Sequence, residues 1–419
     1  MSKNKHNTVY IIINVFIPFM AAYFLSELFR NINGVIGENI GRELQLSATQ
    51  LGFLTSLFFI SIAGSQLFVG ICLDRYGARR TISALLLVGA VGAFLFSFGN
   101  FTSMVAGRLL LGLGMAGCWT AAFKVNAQWW PENKVAFANG AIISFAGIGA
   151  LCSTLPTQYI LSFITWQALF QWLSGLTVCI AAYVYLVAPD HEDDIHNTPK
   201  NLLNEIKGYS VVFKNHVFIW IAPLSIVCQG VWLSYQGLWA GEWLRQVDQL
   251  PSAEAAAFLL LFAVCVISGN FVLGAVTDRL GDKGYSRLNI SLVICLIYIL
   301  MQMLILTNME NISPYLWGLF GFCVSGSILT YALLSNALPT GVAGRAVSIL
   351  NLFATLAGFC LQYGVGFMLD LWQPIEIGTY PAIAHQTAMA CIVAMQLAAL
   401  IWAFYGVKNS AILYQRSFK

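Results

Sequence analysis

Residues 70–80 read GICLDRYGARR, and residues 274–284 read GAVTDRLGDKG, so that Gly70, Asp74, Arg75 and Gly77 fall on Gly274, Asp278, Arg279 and Gly281. Each copy is a short charged turn between two long apolar runs. The pattern predicts a duplicated chain whose halves each place the same turn on the same side of a membrane.

Working outward from these turns, 58% of the residues are hydrophobic and 9% are charged, against the roughly 25% charged residues usual in soluble domains. Apolar runs near the ~20 residues needed to span a bilayer lie at 9–36, 50–72, 81–99, 102–126, 136–160, 168–188, 216–241, 254–276, 288–307, 313–335, 346–371 and 385–407. Lipid permits only helices or closed barrels, and long runs without strict alternation select helices. The expected fold is all-α: a polytopic membrane protein with 12 transmembrane helices in two pseudo-symmetric six-helix bundles.

Ten cysteines are scattered about one to a helix, with no paired spacing and no neighbouring histidines. That argues against a disulfide framework or a metal site. No cofactor is expected. The first apolar run follows Lys3, Lys5 and His6 and is too long for a signal-peptide core.

Sorting the 21 Lys and Arg residues by segment orients the chain. With both termini on one side, that side holds Lys3, Lys5, Arg75, Arg79, Arg80, Lys134, Lys200, Lys207, Lys214, Arg279, Lys283, Arg287, Arg345, Lys408, Arg416 and Lys419. The other side holds only Arg42 and Arg245, while Arg30, Arg108 and Lys124 lie inside spans. The expectation is a multi-pass protein of a plasma membrane, a bacterial inner membrane, with both termini and both turns cytoplasmic. The net charge of +3 follows from this topology and gives no case for nucleic-acid binding.

The domain division expected is a bundle over 1–188, a cytoplasmic linker over 189–215 and a second bundle over 216–419. Within the linker, Leu202, Leu203, Ile206, Tyr209, Val212 and Phe213 share a helical face opposite Lys200, Asn204, Lys207 and Lys214, which suits a helix lying on the membrane surface. A second internal match supports duplication. WWPENKVAFANGAIISFAG corresponds to ALPTGVAGRAVSILNLFATLAG, placing Lys134 on Arg345 and Gly147 on Gly358. Parallel six-helix repeats are one plan of secondary transporters.

With these motifs quoted, the chain resembles the major facilitator superfamily along essentially its whole length. GICLDRYGARR resembles that family's loop between the second and third helices. RLLLGLG, through Arg108, Gly112 and Gly114, resembles its fourth-helix pattern, and TWQALFQW the start of its sixth. The second turn departs from the pattern, with Asp282, Lys283 and Gly284 where the basic end should stand. The resemblance implies a rocker-switch secondary transporter of a small polar or anionic solute, nearest the organic-anion and sugar-phosphate branch. The implied protein is a monomer in the bilayer that handles a small-molecule substrate and a co-transported proton. It is not an enzyme, since no nucleophile–histidine pairing is visible. Efflux antiport is the alternative reading, but the adjacent Gly-Pro of drug antiporters is missing from GAIISFAGIGALCSTLP. A transporter-like sensor ranks below it, because the linker is ordinary.

The gating candidates are Asp74, Arg75, Arg79, Arg80, Asp278 and Arg279, with Arg108 added by resemblance; Asp74 has the fuller turn and is the stronger of the two aspartates. Intramembrane charge costs a few kcal/mol unless paired or facing water, so Glu27 and Arg30 on the first helix stand out. They share a stripe with Tyr23 and can pair locally. Two readings are open: a substrate and proton site, with Glu27 as the coupling carboxylate, or a self-neutralised packing pair. Lys124 is either a second anion contact or a side chain reaching the cytoplasm. On the seventh helix Gln229, Trp232, Tyr235 and Gln236 offer amides and aromatics but no arginine, and Gln362 of the eleventh helix adds an amide. One arginine without a partner arginine, together with amides and indoles, suits a carboxylate, a zwitterion or a hydrogen-bonding solute better than a doubly charged phosphate.

Overall fold

A computed structural model describes residues 8–190, 212–309, 312–337 and 340–409. Most of the linker, including the amphipathic stretch from Lys200 to Tyr209, lies outside the described residues. Among those described the secondary structure is helical, and the one β feature is an isolated bridge between Glu376 and Thr379.

In chain order, a π-helical turn at Ile12–Phe16 leads into α1 (Ile17–Asn31), followed by α2 (Asn33–Glu43). One 49-residue run, Ala48–Phe96, holds two helices meeting at Gly77, here named α3 (48–76) and α4 (78–96). Next come α5 (Phe101–Met115), α6 (Cys118–Trp129), α7 (Glu132–Cys152), α8 (Leu155–Ile160) and α9 (Trp166–Val187). The second half opens with α10 (His216–Ser234), a π turn at Tyr235–Trp239, and α11 (Ala240–Gln246). It continues with α12 (Ser252–Asp282), α13 (Arg287–Leu306), α14 (Ser313–Cys323), α15 (Ser325–Ala337), α16 (Thr340–Leu369) and α17 (Ala382–Asn409).

Eleven helices among the described residues are long and apolar enough to cross a membrane, where the sequence led us to expect twelve. The tenth run accounts for the difference: α14 and α15 meet at Val324, whose φ and ψ (−52°, −35°) are still helical, and neither piece alone reaches spanning length. The fourth run is likewise divided, into α5 and α6, at Ala116 and Gly117. Local signals set the helix starts. Asn100, Thr165 and Ser286 accept from Ser103 N, Ala168 N and Asn289 N as N-caps. Pro131 and Pro251 stand immediately before α7 and α12.

The chain separates into two compact units. The first comprises Met1–Ile36 and Leu57–Pro199, the second Gly37–Ser56 and Lys200–Lys419. The helix pair α2 and early α3, which belongs to the first repeat in sequence, therefore packs in the second unit. Inside the first unit α1 packs on α7, α9 and α6. Association in lipid gains little from the hydrophobic effect and relies on close van der Waals fit of small residues. Gly149 shows this: a Cβ there would lie 2.3 Å from Phe24 O. Within the second unit α10 packs on α16, α17 and α15, and α12 on α14. The core of that unit includes Tyr235, Trp243, Phe262, Tyr298, Trp317 and Phe320, all buried.

Candidate functional site

In the first unit the last two turns of α1 carry the charged stripe. Glu27 is buried, and Arg30, one turn on, is ion-paired with its Oε2. Asn31 Nδ2 donates to Glu27 O at 2.8 Å. Tyr23 is half-buried on the same face. α7 backs this stripe through Gly149, whose Cβ would approach Glu27 Cβ to 3.3 Å. The i, i+3 spacing read from sequence thus becomes an ion pair at membrane depth.

Arg108 lies behind the stripe and is fully buried (0% exposed). Its Nη1 donates to Phe29 O at 3.2 Å, and its guanidinium stands 4.6 Å from the Phe96 ring centre and 5.9 Å from that of Phe170. Nε and Nη2 have no hydrogen-bond partner. The resemblance groups Arg108 with the gating turns; its contacts place it against α1 at Phe29, the residue before Arg30.

Lys124 reaches the first charged turn. Its Nζ donates to Leu73 O at 2.5 Å and lies 3.4 Å from Asp74 Oδ1. The ammonium satisfies a last-turn carbonyl of α3 and pairs with the turn aspartate. This is the geometry expected of a cation at a helix C-terminus, and these contacts join Lys124 to the turn.

The first turn is fastened to α9. Arg79 Nε donates to Tyr185 O at 2.7 Å, and Arg79 and Arg80 reach Asp190 Oδ2 at 3.3 and 3.6 Å. Arg75 lies over the Tyr76 ring. In the second turn Asp278 and Asp282 both face Arg287, each at 3.7 Å, while Arg279 is exposed. The copies also bend differently: positive φ falls on Gly77 (78°) in the first and on Gly284 (90°) in the second.

In the second unit Gln229 is tied into a buried polar knot. Tyr331 OH donates to its Oε1 at 3.1 Å, its Nε2 donates to Ser225 Oγ at 3.4 Å, and Thr330 Oγ1 donates to Ser225 Oγ at 2.7 Å. Ser225 Oγ closes the knot on Ser327 O at 3.0 Å. Sequence reasoning missed Ser225, Thr330 and Tyr331; the available signal was Ser225 one turn before Gln229. Trp232 is half-buried and Gln236 buried. Tyr235 packs 5.3 Å from Trp317, an aromatic core contact and not a polar one. Gln362 is buried on the opposite flank of this unit, donating from Nε2 to Thr55 Oγ1 at 2.6 Å.

A cavity of about 500 Å³ opens in the second unit beside Glu38, Arg42, Glu242, Arg245, Gln246 and Tyr380. Arg245 lies 3.1 Å from Glu38 and 2.8 Å from Glu242. Gln246 Nε2 donates to Glu242 at 2.8 Å, and its Oε1 accepts from Tyr380 N at 2.8 Å. The sequence reading does not include this cluster because its members are spread over three distant segments.

Long apolar helices, divisions in the fourth and tenth runs and a Glu27–Arg30 pair inside α1 mark a polytopic membrane protein. The chain belongs to the Major Facilitator Superfamily, whose family model matches residues 19–361. It is 22% identical over 273 residues to the probable sulfoacetate transporter SauU of Cupriavidus necator, covering 62% of this chain and 63%, under two thirds, of that protein. It is 22% identical over 364 residues to the hexuronate transporter of Bacillus subtilis, covering 83% of this chain and 85% of that one. Among solved structures, a bacterial homolog of the human lysosomal transporter Spinster, inward-facing and occupied, matches with a TM-score of 0.76 and 17% identity over 95% of this chain and 97% of that one. The likeness in structure shows the fold; the family membership makes the chain a secondary transporter.

Proposed function

We propose that the chain moves a small organic carboxylate, with Arg30 as its anchor and Glu27 as the group through which a proton enters the cycle. The observation that carries this reading is the buried Glu27–Arg30 pair on α1. A substrate carboxylate competes with Glu27 for one guanidinium. Protonation of Glu27 frees Arg30 for the incoming anion, and deprotonation returns the pair to its closed form, so proton and carboxylate move together. Charge-assisted recognition of a carboxylate by arginine is strong and directional, and the names of the sulfoacetate and hexuronate transporters point to the same class of anion. Arg108 acts as a positioning residue for α1. Lys124, Asp74, Arg75, Arg79 and Arg80, with Asp278 and Arg279, form the cytoplasmic gating turns in this reading, both termini are cytoplasmic, and the protein works as a monomer.

Uptake of radiolabelled sugar acids and sulfonates into proteoliposomes tests the proposal. Arg30→Ala is expected to abolish uptake and Arg30→Lys to retain a fraction. Glu27→Gln is expected to keep carboxylate exchange while losing accumulation driven by a pH gradient. Full gradient-driven uptake in Glu27→Gln would overturn the coupling role, and equal binding of every ligand by wild type and Arg30→Ala would overturn the anchor.

A further inference from the structure

α3 begins with its own reciprocal cap: Ser47 N donates to Gln50 Oε1 at 3.0 Å, and Gln50 N donates to Ser47 Oγ at 3.3 Å. The next amides on the helix remain to be satisfied. Ala48 N and Thr49 N donate to Asp370, at 3.1 Å to Oδ1 and 2.9 Å to Oδ2. Ser47 Oγ donates to Oδ2 at 2.7 Å, and the Tyr380 hydroxyl donates to Oδ1. One carboxylate, 322 residues away in sequence from Ala48, thereby caps the first turn of α3 and receives four donors.

The backbones of α3 and α16 meet beside this cap through small residues. A Cβ at Gly366 would lie 2.3 Å from Ala48 O, and one at Gly52 would lie 2.8 Å from Gln362 O. Gln362 Nε2 reaches Thr55 Oγ1 at 2.6 Å, and Trp239 Nε1 donates to Gln362 O at 2.9 Å. A second tie runs from α2, where Glu38 accepts from Ser252 Oγ at 3.0 Å and pairs with Arg245, a residue whose side chain is 7% exposed. Both ties join a segment of the first repeat to helices of the second, within one compact unit.

We infer that Asp370 is the latch of the outer gate, and that the α3–α16 seam with its Glu38–Arg245 tie is the contact that must part for the transporter to open outward. A helix cap suits this work because its donors can be re-satisfied by water once the seam opens, so the contact is strong when closed and inexpensive to release. Asp370 is a positioning residue: it touches no substrate and sets the balance between closed and open forms. The inference rests on the chain being a transporter, and not on the carboxylate substrate or on Glu27.

The test reads the gate without any substrate. Asn39→Cys and Gln373→Cys, both at exposed positions, carry spin labels in a background whose native cysteines are replaced, and pulsed EPR measures their separation in lipid nanodiscs. Wild type is expected to give one dominant short distance. Asp370→Ala is expected to lower the closed-to-open ratio about 10-fold, the size of a lost charged cap, with a second, longer peak appearing, and Asp370→Asn to fall between. An unchanged distribution in Asp370→Ala overturns the latch. Should Asp370→Ala fail to insert, Ser47→Ala removes one donor and leaves the carboxylate in place; a smaller shift in the same direction supports the inference, and no shift overturns it. Unchanged carboxylate uptake in Arg30→Ala, alongside shifted distances in Asp370→Ala, would count against the carboxylate reading alone and leave the latch standing.

Discussion

Arg108→Met separates a positioning role from a structural one, because the two roles predict opposite signs for stability. The buried guanidinium makes one hydrogen bond, to Phe29 O, and lies over two rings. A hydrogen bond to a charged group contributes about 1.5–3 kcal/mol, and a desolvated cation–π contact about 2 kcal/mol. Against this stand the desolvation of a fully buried charge, several kcal/mol, and two donors, Nε and Nη2, with no partner, each costing about 1–3 kcal/mol. The costs exceed the gains, so an apolar side chain of similar volume should stabilise the fold by about 1–4 kcal/mol. Thermal unfolding followed by the fluorescence of the 12 tryptophans should show the midpoint rising by roughly 2 °C or more, while flux in proteoliposomes collapses because α1 loses its tether at Phe29 O. A midpoint several degrees below wild type with normal flux would refute the reasoning and make Arg108 a packing residue.

Three further outcomes follow from the geometry. Burial alone would raise the Asp370 carboxyl, but hydrogen bonds from Thr49, Tyr380 and Ser47 outweigh it and hold the group below the ordinary carboxylate value. Its contribution is therefore fully present above the unfolded pKa of about 3.9 and is lost as pH falls through the lower folded value. Wild type should lose midpoint on acidification below pH ~4, and Asp370→Asn should flatten that limb of a Tm-against-pH curve. Asp248 has the opposite sign: burial pushes its carboxyl up to about 6, so stability is lost as pH rises from about 4 to about 6, and Asp248→Asn should melt higher than wild type at pH 7 and equally at pH 3. Gly149→Val places a branched side chain where a Cβ would already lie 2.3 Å from Phe24 O; overpacking of this kind costs about 1–3 kcal/mol, and substrate affinity should fall with it as α1 is pushed off α7, as measured by ligand-dependent thermal shift.

Spans were legible because lipid leaves the backbone so few solutions: a continuous apolar run must be helical. The Glu27–Arg30 pair was legible for the same reason, being encoded by i, i+3 spacing on a single helix. What escaped were contacts whose partners lie far apart in sequence. Asp370 and Thr49 are separated by 321 positions, and nothing in the stretch around Asp370 names its partner. Lys124 was ambiguous from sequence because depth on a helix does not reveal which neighbour a flexible ammonium finds. Tyr235 looked polar in a list of letters, and packing made it part of an aromatic core. The junction of α14 and α15 at Val324 was not legible either, since SGSILTYALL carries no proline; Gly326 beside it lies against Ile294 and Cys295.

The repeated turn that marks the duplication gains a different weight once both ends of α3 are considered together. An aspartate at the C-terminal end of a helix opposes the macrodipole, and one at the N-terminus complements it. Asp74 occupies the unfavourable end, and Lys124 offsets it by donating to Leu73 O and pairing with the carboxylate itself. Asp370 occupies the favourable end through Ala48 N and Thr49 N. The two carboxylates are thus unequal in kind: one is offset by a neighbouring cation, the other is held by two backbone amides and two hydroxyls. Asp74 is 60% exposed and weakly paired at 3.4 Å, so a partner that competes for it need overcome little. Asp370 holds four donors and sets the harder step. Lys124→Met therefore ought to alter transport rate with little effect on the closed-to-open ratio at the outer seam, whereas Asp370→Asn ought to shift that ratio. Measuring both variants in the same spin-labelled background tests whether the two ends of one helix are independently switched, and an equal shift from either variant would contradict it.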